Sequence, residues 1–312
     1  MPYRGVHFLG GGAYMVPGAS KSKRVFSASS RAGAAPLWAE VWASRSILWL
    51  LTRRELKARY AGSMLGVMWN VIHPIVMVMI YILILGPIMN TKIGGGIHTG
   101  DYVVHLCAGI IPWLVFQEIV TRCAATILEN AGFIKKVAFP EVILHLTAVL
   151  NSLFVHAISY TAFILILLLS GFFTGAFPGW QVLACFGILA AIAVFALGIG
   201  LVISVLNIYF RDVGQLVSIG LQVLFWFVPI VYFPSLLTRD EAGSFAHFLV
   251  RLMEWNPLLH FVRMSQWLFG DNPQEAWFSW TSLGVVVLAP VAALWLGLKV
   301  FNHFKRDVLD NI

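Results

Sequence analysis

The sequence predicts an all-α integral membrane protein with six transmembrane helices, an N-terminal amphipathic interface helix, two short re-entrant or interfacial helices between spans five and six, and both termini in the cytoplasm. Three observations lead there. The 312 residues are 59% hydrophobic and 11% charged, with a mean hydropathy of +0.83, whereas soluble domains carry about 25% charged residues. Six apolar segments are long enough, at about 1.5 Å per helical residue, to cross a hydrocarbon core of about 30 Å. Of the 21 Lys and Arg, seventeen fall on one side of that arrangement and four, Lys92, Arg239, Arg251 and Arg263, on the other. By the positive-inside rule the basic side is cytoplasmic.

Residues 1–36 contain Gly10 to Gly12 and a basic cluster from Lys21 to Arg24 but no continuous apolar core. They are expected to be a disordered cytoplasmic leader, with a targeting segment or a misassigned start as the alternatives. Residues 37–312 form the membrane domain. It opens with an interface helix over 38–61, on which Trp38, Trp42, Trp49, Leu56 and Tyr60 fall within about 40° on the helical wheel, with Arg45 interrupting the stripe. Arg53, Arg54 and Lys57 share the element, so it suits the headgroup layer, aromatics buried and cations facing anionic lipid. A plain surface anchor and a helix that also receives force from a partner are both open readings.

The spans are placed at 67–89, 103–128, 142–171, 180–206, 217–233 and 277–301, the fifth being the shortest. Between the second and third lies the loop 129–141, ENAGFIKKVAFPE, whose Phe133, Val137 and Phe139 beside Lys135 and Lys136 suggest a docking patch; an ordinary basic inside loop is the alternative. The loop 207–214, NIYFRDVG, is a shorter case. Residues 234–275 are too apolar for a free loop and too broken to cross. Phe245, Phe248, Leu249, Leu252 and Met253 keep helical spacing, Asn256-Pro257 interrupts, and Leu258 to Phe269 forms a second run. These are expected to dip into the outer leaflet and return, packed on protein, or else to rest on the membrane surface.

The short loops leave little room for catalysis. There is no GxxxxGK[ST] phosphate loop, so nucleotide hydrolysis is not expected of this chain. Nine His show no metal spacing, and His73, His145 and His156 read as neutral helix-packing residues. Cys107, Cys123 and Cys185 give neither a metal pattern nor a disulfide framework. No paired carboxylates suit a glycan enzyme, and a secondary carrier's inverted repeats are not evident. Glu118 and Arg122, four apart in the second span, are ordered as an ion pair. Gly187 with Ala191, and Ala196 with Gly200, give small-residue spacing for close packing. Trp113, Phe116, Trp226, Phe227, Tyr232, Phe233 and Trp267 fall towards the outer half, where aromatic faces suit sugar rings and core packing is the commoner fate.

Four stretches in combination resemble the permease subunits of ABC exporters for polysaccharides and polyol phosphates, serving O-antigen, capsule and wall teichoic acid export. They are RRELKARYAGSMLGVMWNVIHP at 53–74, ENAGFIKKVAFPEVIL at 129–144, NIYFRDVGQLV at 207–217, and FVPIVYFP with WNPLLHFVRMSQWLFGD at 227–234 and 255–271. The likeness covers about 38–312. It implies a homodimer enclosing a continuous channel in the bacterial inner membrane, engaged by two ABC ATPase subunits. ATP and Mg would sit on those partners; this chain would hold no cofactor and bind no nucleic acid.

By the same analogy, Arg53, Arg54, Glu55, Lys57 and Arg59, with Phe133, Lys135, Lys136 and Pro140, would receive the ATPase. The two short helices would form an outer lid. Pro229, Pro234 and Pro257 are hinge candidates, the aromatics above would line channel or lid, and Arg53, Arg54 and Lys57 are also candidates for the headgroup of an undecaprenyl-pyrophosphate-linked glycan. Force would enter at 53–59 and pass through Gly62 to Gly66 into the first span. A permease for a drug or small lipid is the nearest alternative function.

Overall fold

In the computed structural model, residues 37–92, 99–136, 139–170, 179–233, 244–269 and 278–311 are described. The leader 1–36 and Pro234 lie outside them. Every regular element among them is helical. Leu37–Ala43 forms helix α1, in a unit separate from the helical bundle that the described residues form from Ser44 on.

The expected single interface helix is therefore divided. A second helix, α2, runs over Arg45–Tyr60, and the Ser44 carbonyl accepts the amides of Ile47 and Leu48. Ser is suited to a helix start, since its side chain competes for backbone bonds inside a helix. The face of α2 carrying Leu51, Thr52 and Glu55 is turned to the bundle. On its flank Trp49 is exposed, while Leu56 and Tyr60 are half-buried. The aromatic stripe is thus only partly turned away from the protein, since Tyr60 meets Asn70.

An elbow follows in which Gly62 (φ +76°) and Gly66 (φ +51°) adopt left-handed backbone. A 3-10 turn, Gly66–Met68, leads into α3, Trp69–Lys92. Then come α4 (Thr99–Glu129), α5 (Ala131–Ile134), α6 (Val142–Ser170), α7 (Gly179–Tyr209), α8 (Val213–Trp226), α9 (Ser244–Glu254), α10 (Pro257–Phe269) and α11 (Trp280–Asn311).

Among the described residues, four helices are long and apolar enough to cross a membrane: Tyr102–Glu129, Val142–Ile166, Gly179–Tyr209 and Trp280–Phe304. Two shorter apolar stretches, Gly66–Tyr81 and Val213–Trp226, fall at the expected first and fifth spans. The fifth differs most from expectation. Its helix ends at Trp226 instead of 233, and 14 residues cover only about 21 Å. Pro229 explains the ending: it has no amide to donate and its ring disfavours a helical residue before it.

The core lies where α7 packs on both α4 and α11. At Gly198 an added Cβ would lie 2.5 Å from Leu294 N of α11, and at Gly200 it would lie 2.6 Å from the Cys123 Cβ of α4. Gly297 faces Gly198 across the α7–α11 contact, where a Cβ would meet the Gly198 Cα at 2.9 Å. Ala196 and Gly200 thus serve the close packing their spacing suggested, whereas Gly187 faces open space.

The two short helices occur as expected, α9 with exposed Phe248 and Leu252, and α10 buried along most of its length. A resting place on the membrane surface does not describe α10. Pro257 is its first residue, where a missing amide costs nothing, and Asn256 Oδ1 accepts the Leu258 amide at 3.1 Å. Pro257 thus starts a helix at the break between α9 and α10.

Candidate functional site

Residues 45–60 wind so that positions 51, 55 and 59 share one face, while 53 and 57 lie about opposite. The bundle divides the expected ATPase-receiving residues accordingly. Arg53, Arg54 and Lys57 are exposed. Glu55 and Arg59 turn to α4, where they meet the Glu118 and Arg122 pair.

Glu118 is the hub. Its Oε1 accepts from Arg122 Nε at 2.9 Å and pairs with Arg59 Nη2 at 2.8 Å. Its Oε2 faces Ser152 Oγ and His156 Nδ1, each at 3.4 Å, both on α6. Arg122 also reaches Glu55 through Nη1. One charge-balanced cluster therefore ties α2, α4 and α6 together. The Glu118 side chain is 16% exposed and the two guanidiniums 28–30%, so the bonds are partly screened yet stronger than open surface pairs.

A second tie joins the elbow to the bundle. Asn70 Nδ2 donates to the Tyr60 hydroxyl oxygen, and Ser159 Oγ donates to the Asn70 carbonyl at 2.7 Å. Gly62 and Gly66 have nothing near their Cα hydrogens and are not in the packed interior. The rigid connection from α2 into the spans runs sideways through Glu55 and Arg59; the glycine elbow is a poor strut.

Beside the cluster a cleft of about 270 Å³ opens between Arg54, Glu55 and Ala58 of α2, Thr126 and Glu129 of α4, and Leu144 and Thr147 of α6. It borders the loop that begins at Asn130. In that loop Lys135 and Lys136 are exposed, Phe133 is half-buried with its ring 5.1 Å from that of Phe139, and the Pro140 carbonyl accepts the Ile143 amide at the start of α6.

Of the seven aromatics expected at a channel or lid, three fall in the core. Trp113, Phe116 and Phe233 are 3–4% exposed. Trp113 packs on Phe225 at 5.6 Å and Phe116 on Phe195 at 5.9 Å, which continues to Phe261 at 5.5 Å. Phe233 lies 4.4 Å from the His105 ring. These three line no lumen in the protomer, because Trp113 is met by α8, Phe116 by α7 and Phe233 by α4. Trp226 is exposed, while Phe227, Tyr232 and Trp267 are half-buried. Trp267 sits between Trp180, at 6.0 Å, and Phe278, at 5.1 Å.

The non-helical stretch 227–233 is held by side chains. Gln266 Nε2 donates to the Pro229 carbonyl at 3.0 Å, and Tyr102 Oη donates to the Val231 carbonyl at 2.8 Å. Ser265 Oγ donates to the Ala108 carbonyl at 2.7 Å. Irregular backbone at membrane depth needs such partners. Pro229 thereby sits at a corner whose carbonyl is bonded to α10. Of the expected helix-packing histidines, His145 bonds Ser204 at 2.9 Å and His156 bonds the Ser152 carbonyl at 2.9 Å, but His73 is exposed. His156 and Ser152 carry an i, i+4 spacing in the sequence; nothing there shows that they face Glu118.

The ABC-2 type transporter family profile matches residues 47–269, which spans α2 to α10 and so includes the whole cluster. The O-antigen export system permease protein RfbA of Klebsiella pneumoniae is 26% identical over 260 residues, covering 83% of this chain and 92% of the relative. The protein of that name from Myxococcus xanthus is 25% identical, covering 88% and 98%, and the polysialic acid transport protein KpsM of Escherichia coli 22% identical, covering 83% and 93%. With its membrane-length helices and a profile match over most of its length, this multi-pass integral membrane protein belongs to the ABC-2 type transporter family.

Proposed function

We propose that the chain is the channel-forming permease subunit of an ATP-driven exporter that carries a lipid-linked polysaccharide of the O-antigen kind across the bacterial inner membrane. It would act as a homodimer of six-span subunits with two ABC ATPase subunits, which hold ATP and Mg. The permease names of the relatives, over 83–88% of this chain, support the substrate class. The buried Trp113, Phe116 and Phe233 lend it no support.

The observation that carries the mechanism is the division of α2. Its outward cations Arg53, Arg54 and Lys57 are available to an ATPase, while its inward Glu55 and Arg59 are locked to Glu118 and Arg122. A push on the outer face moves α4 and α6 with α2, because stretching the cluster would part half-buried charges that bond one another. The cleft at Arg54 and Glu129, continued by Lys135 and Lys136, is the surface on which the partner would bear. The clamped α10 and the 227–233 corner would form the outer lid, which must break the Gln266 and Ser265 bonds to open.

Replacement of Arg53, Arg54 and Lys57 together by Ala should abolish surface glycan export and ATPase co-purification while the permease dimer still assembles. Normal export by that variant would end the proposal.

A further inference from the structure

At the corner between α9 and α10 a pocket of about 270 Å³ is lined by Glu254, Trp255, Pro257, His260 and, from α11, Val285. We propose that it holds the headgroup of a resident phospholipid of the outer leaflet, one that carries both a primary ammonium and a phosphodiester. The volume is close to the lower end of small-ligand sites, about 300 Å³, which leaves room for a headgroup and not for acyl chains.

The setting selects a lipid. Trp255 is 88% exposed and Trp280, at the outer end of α11, 78%, and such indoles collect at the headgroup layer. Beyond Val285, α11 continues through Val287, Leu288 and Val291, all exposed, so acyl chains leaving a bound headgroup meet an apolar face.

The lining selects a cation. His260 offers no free donor: its Nε2 donates to the Glu254 carbonyl at 3.1 Å, so its Nδ1 accepts from Ser282 Oγ at 3.0 Å. What remains is the Glu254 carboxylate and the Trp255 ring, both of which attract positive charge. Neither side chain forms a hydrogen bond, ion pair or ring contact among the described residues. An ammonium with N–H groups suits both, through hydrogen bonds to the carboxylate and through its charge over the ring. A quaternary ammonium suits only the ring.

The counter-charge stands one turn further on. Arg263 follows His260 by three residues and so shares its face of α10. Its guanidinium is within electrostatic reach of Glu254, yet the two form no ion pair among the described residues. A headgroup whose ammonium and phosphate are a few bonds apart bridges that gap, each end meeting its opposite. Arg251, one turn back on α9 and exposed, is a second cation near Glu254, so the corner does not repel the phosphate. Because Val285 belongs to α11, a lipid seated here ties the α9–α10 corner to the last span, where His260 already bonds Ser282.

The test is a competition on the full chain. Purified protein is equilibrated in micelles holding equal parts of phosphatidylethanolamine, phosphatidylcholine and phosphatidylglycerol with identical acyl chains, and the lipid it retains is counted by native mass spectrometry. Wild type should retain phosphatidylethanolamine about tenfold over each of the others. Glu254→Gln should bring its ratio to phosphatidylcholine within about twofold of unity, while Glu254→Asp, which keeps the charge, should preserve the preference. Trp255→Ala and Arg263→Gln should each lower retention of both lipids about three- to tenfold. Trp280→Ala removes an exposed indole at the same end of α11 that does not border the pocket, and should change nothing. An ethanolamine preference that survives Glu254→Gln, undiminished retention by Trp255→Ala, or an equal loss in Trp280→Ala overturns the pocket as the site. Preferred retention of phosphatidylglycerol overturns a zwitterion as its ligand.

Discussion

Replacing Glu118 by Gln removes the charge at the centre of the α2–α4–α6 cluster while keeping the shape. Two guanidiniums, at 2.8 and 2.9 Å, lose their carboxylate partner, and the two α6 contacts at 3.4 Å are weak. A hydrogen bond to a charged group contributes about 1.5–3 kcal/mol net, an exposed ion pair about 0–1. With Glu118 at 16% and its partners near 30% exposure, each bond lies between these limits, so Glu118→Gln should cost about 2–3 kcal/mol. Arg122→Ala leaves both Glu55 and Glu118 without their shared cation and should cost about 2–3 kcal/mol. Glu55→Gln, at a side chain 39% exposed, should cost about 1 kcal/mol or less. The assay is equilibrium unfolding of the purified chain in mixed micelles over increasing SDS, with an Arg59→Gln and Glu118→Gln cycle. A coupling energy of about 1 kcal/mol is expected for contacting charges. Additive single effects, or Glu55→Gln costing as much as Arg122→Ala, would refute the cluster as the tie between α2 and the spans.

Gly198→Ala should destabilise the fold by about 1–3 kcal/mol or prevent accumulation, since the new methyl meets α11 backbone; membrane expression and SDS unfolding report it, and Gly187→Ala, facing open space, should be silent. Gly62→Ala should cost about 1–2 kcal/mol through its positive φ alone, the space around it being free, and wild-type stability on SDS unfolding would show that the elbow tolerates other backbone. Gln266→Leu should free the Pro229 carbonyl and lower stability by about 1–3 kcal/mol, with proteolysis at the 227–233 corner appearing earlier than in wild type.

Some of this was legible in local sequence and some was not. The second, third, fourth and sixth spans, the interruption at Asn256-Pro257 and the Glu118–Arg122 pairing follow from apolar run length, proline stereochemistry and i, i+4 spacing, all of which act within a few residues, whereas the corner at Pro229 was missed because the apolar run continues to 233. The break at Ser44 was missed because the apolar period continues across it, and a cap weighs against that period only weakly. The core burial of Trp113 and Phe116 could not be read either: α4 is apolar on nearly every face, so its sequence holds little indication of which side meets a neighbour.

The sequence by itself determined that this is a helical membrane protein with a basic end, a broken outer segment and the likeness that its family match bears out. Only the tertiary structure decided which charges on α2 are free. Arg59 differs from Arg53 in nothing but helical phase, and phase acquires meaning when Leu51 and Thr52 are buried against the bundle. That burial carries Glu55 and Arg59 to Glu118 and Arg122, more than 50 residues away in the chain, and leaves the other cations outside.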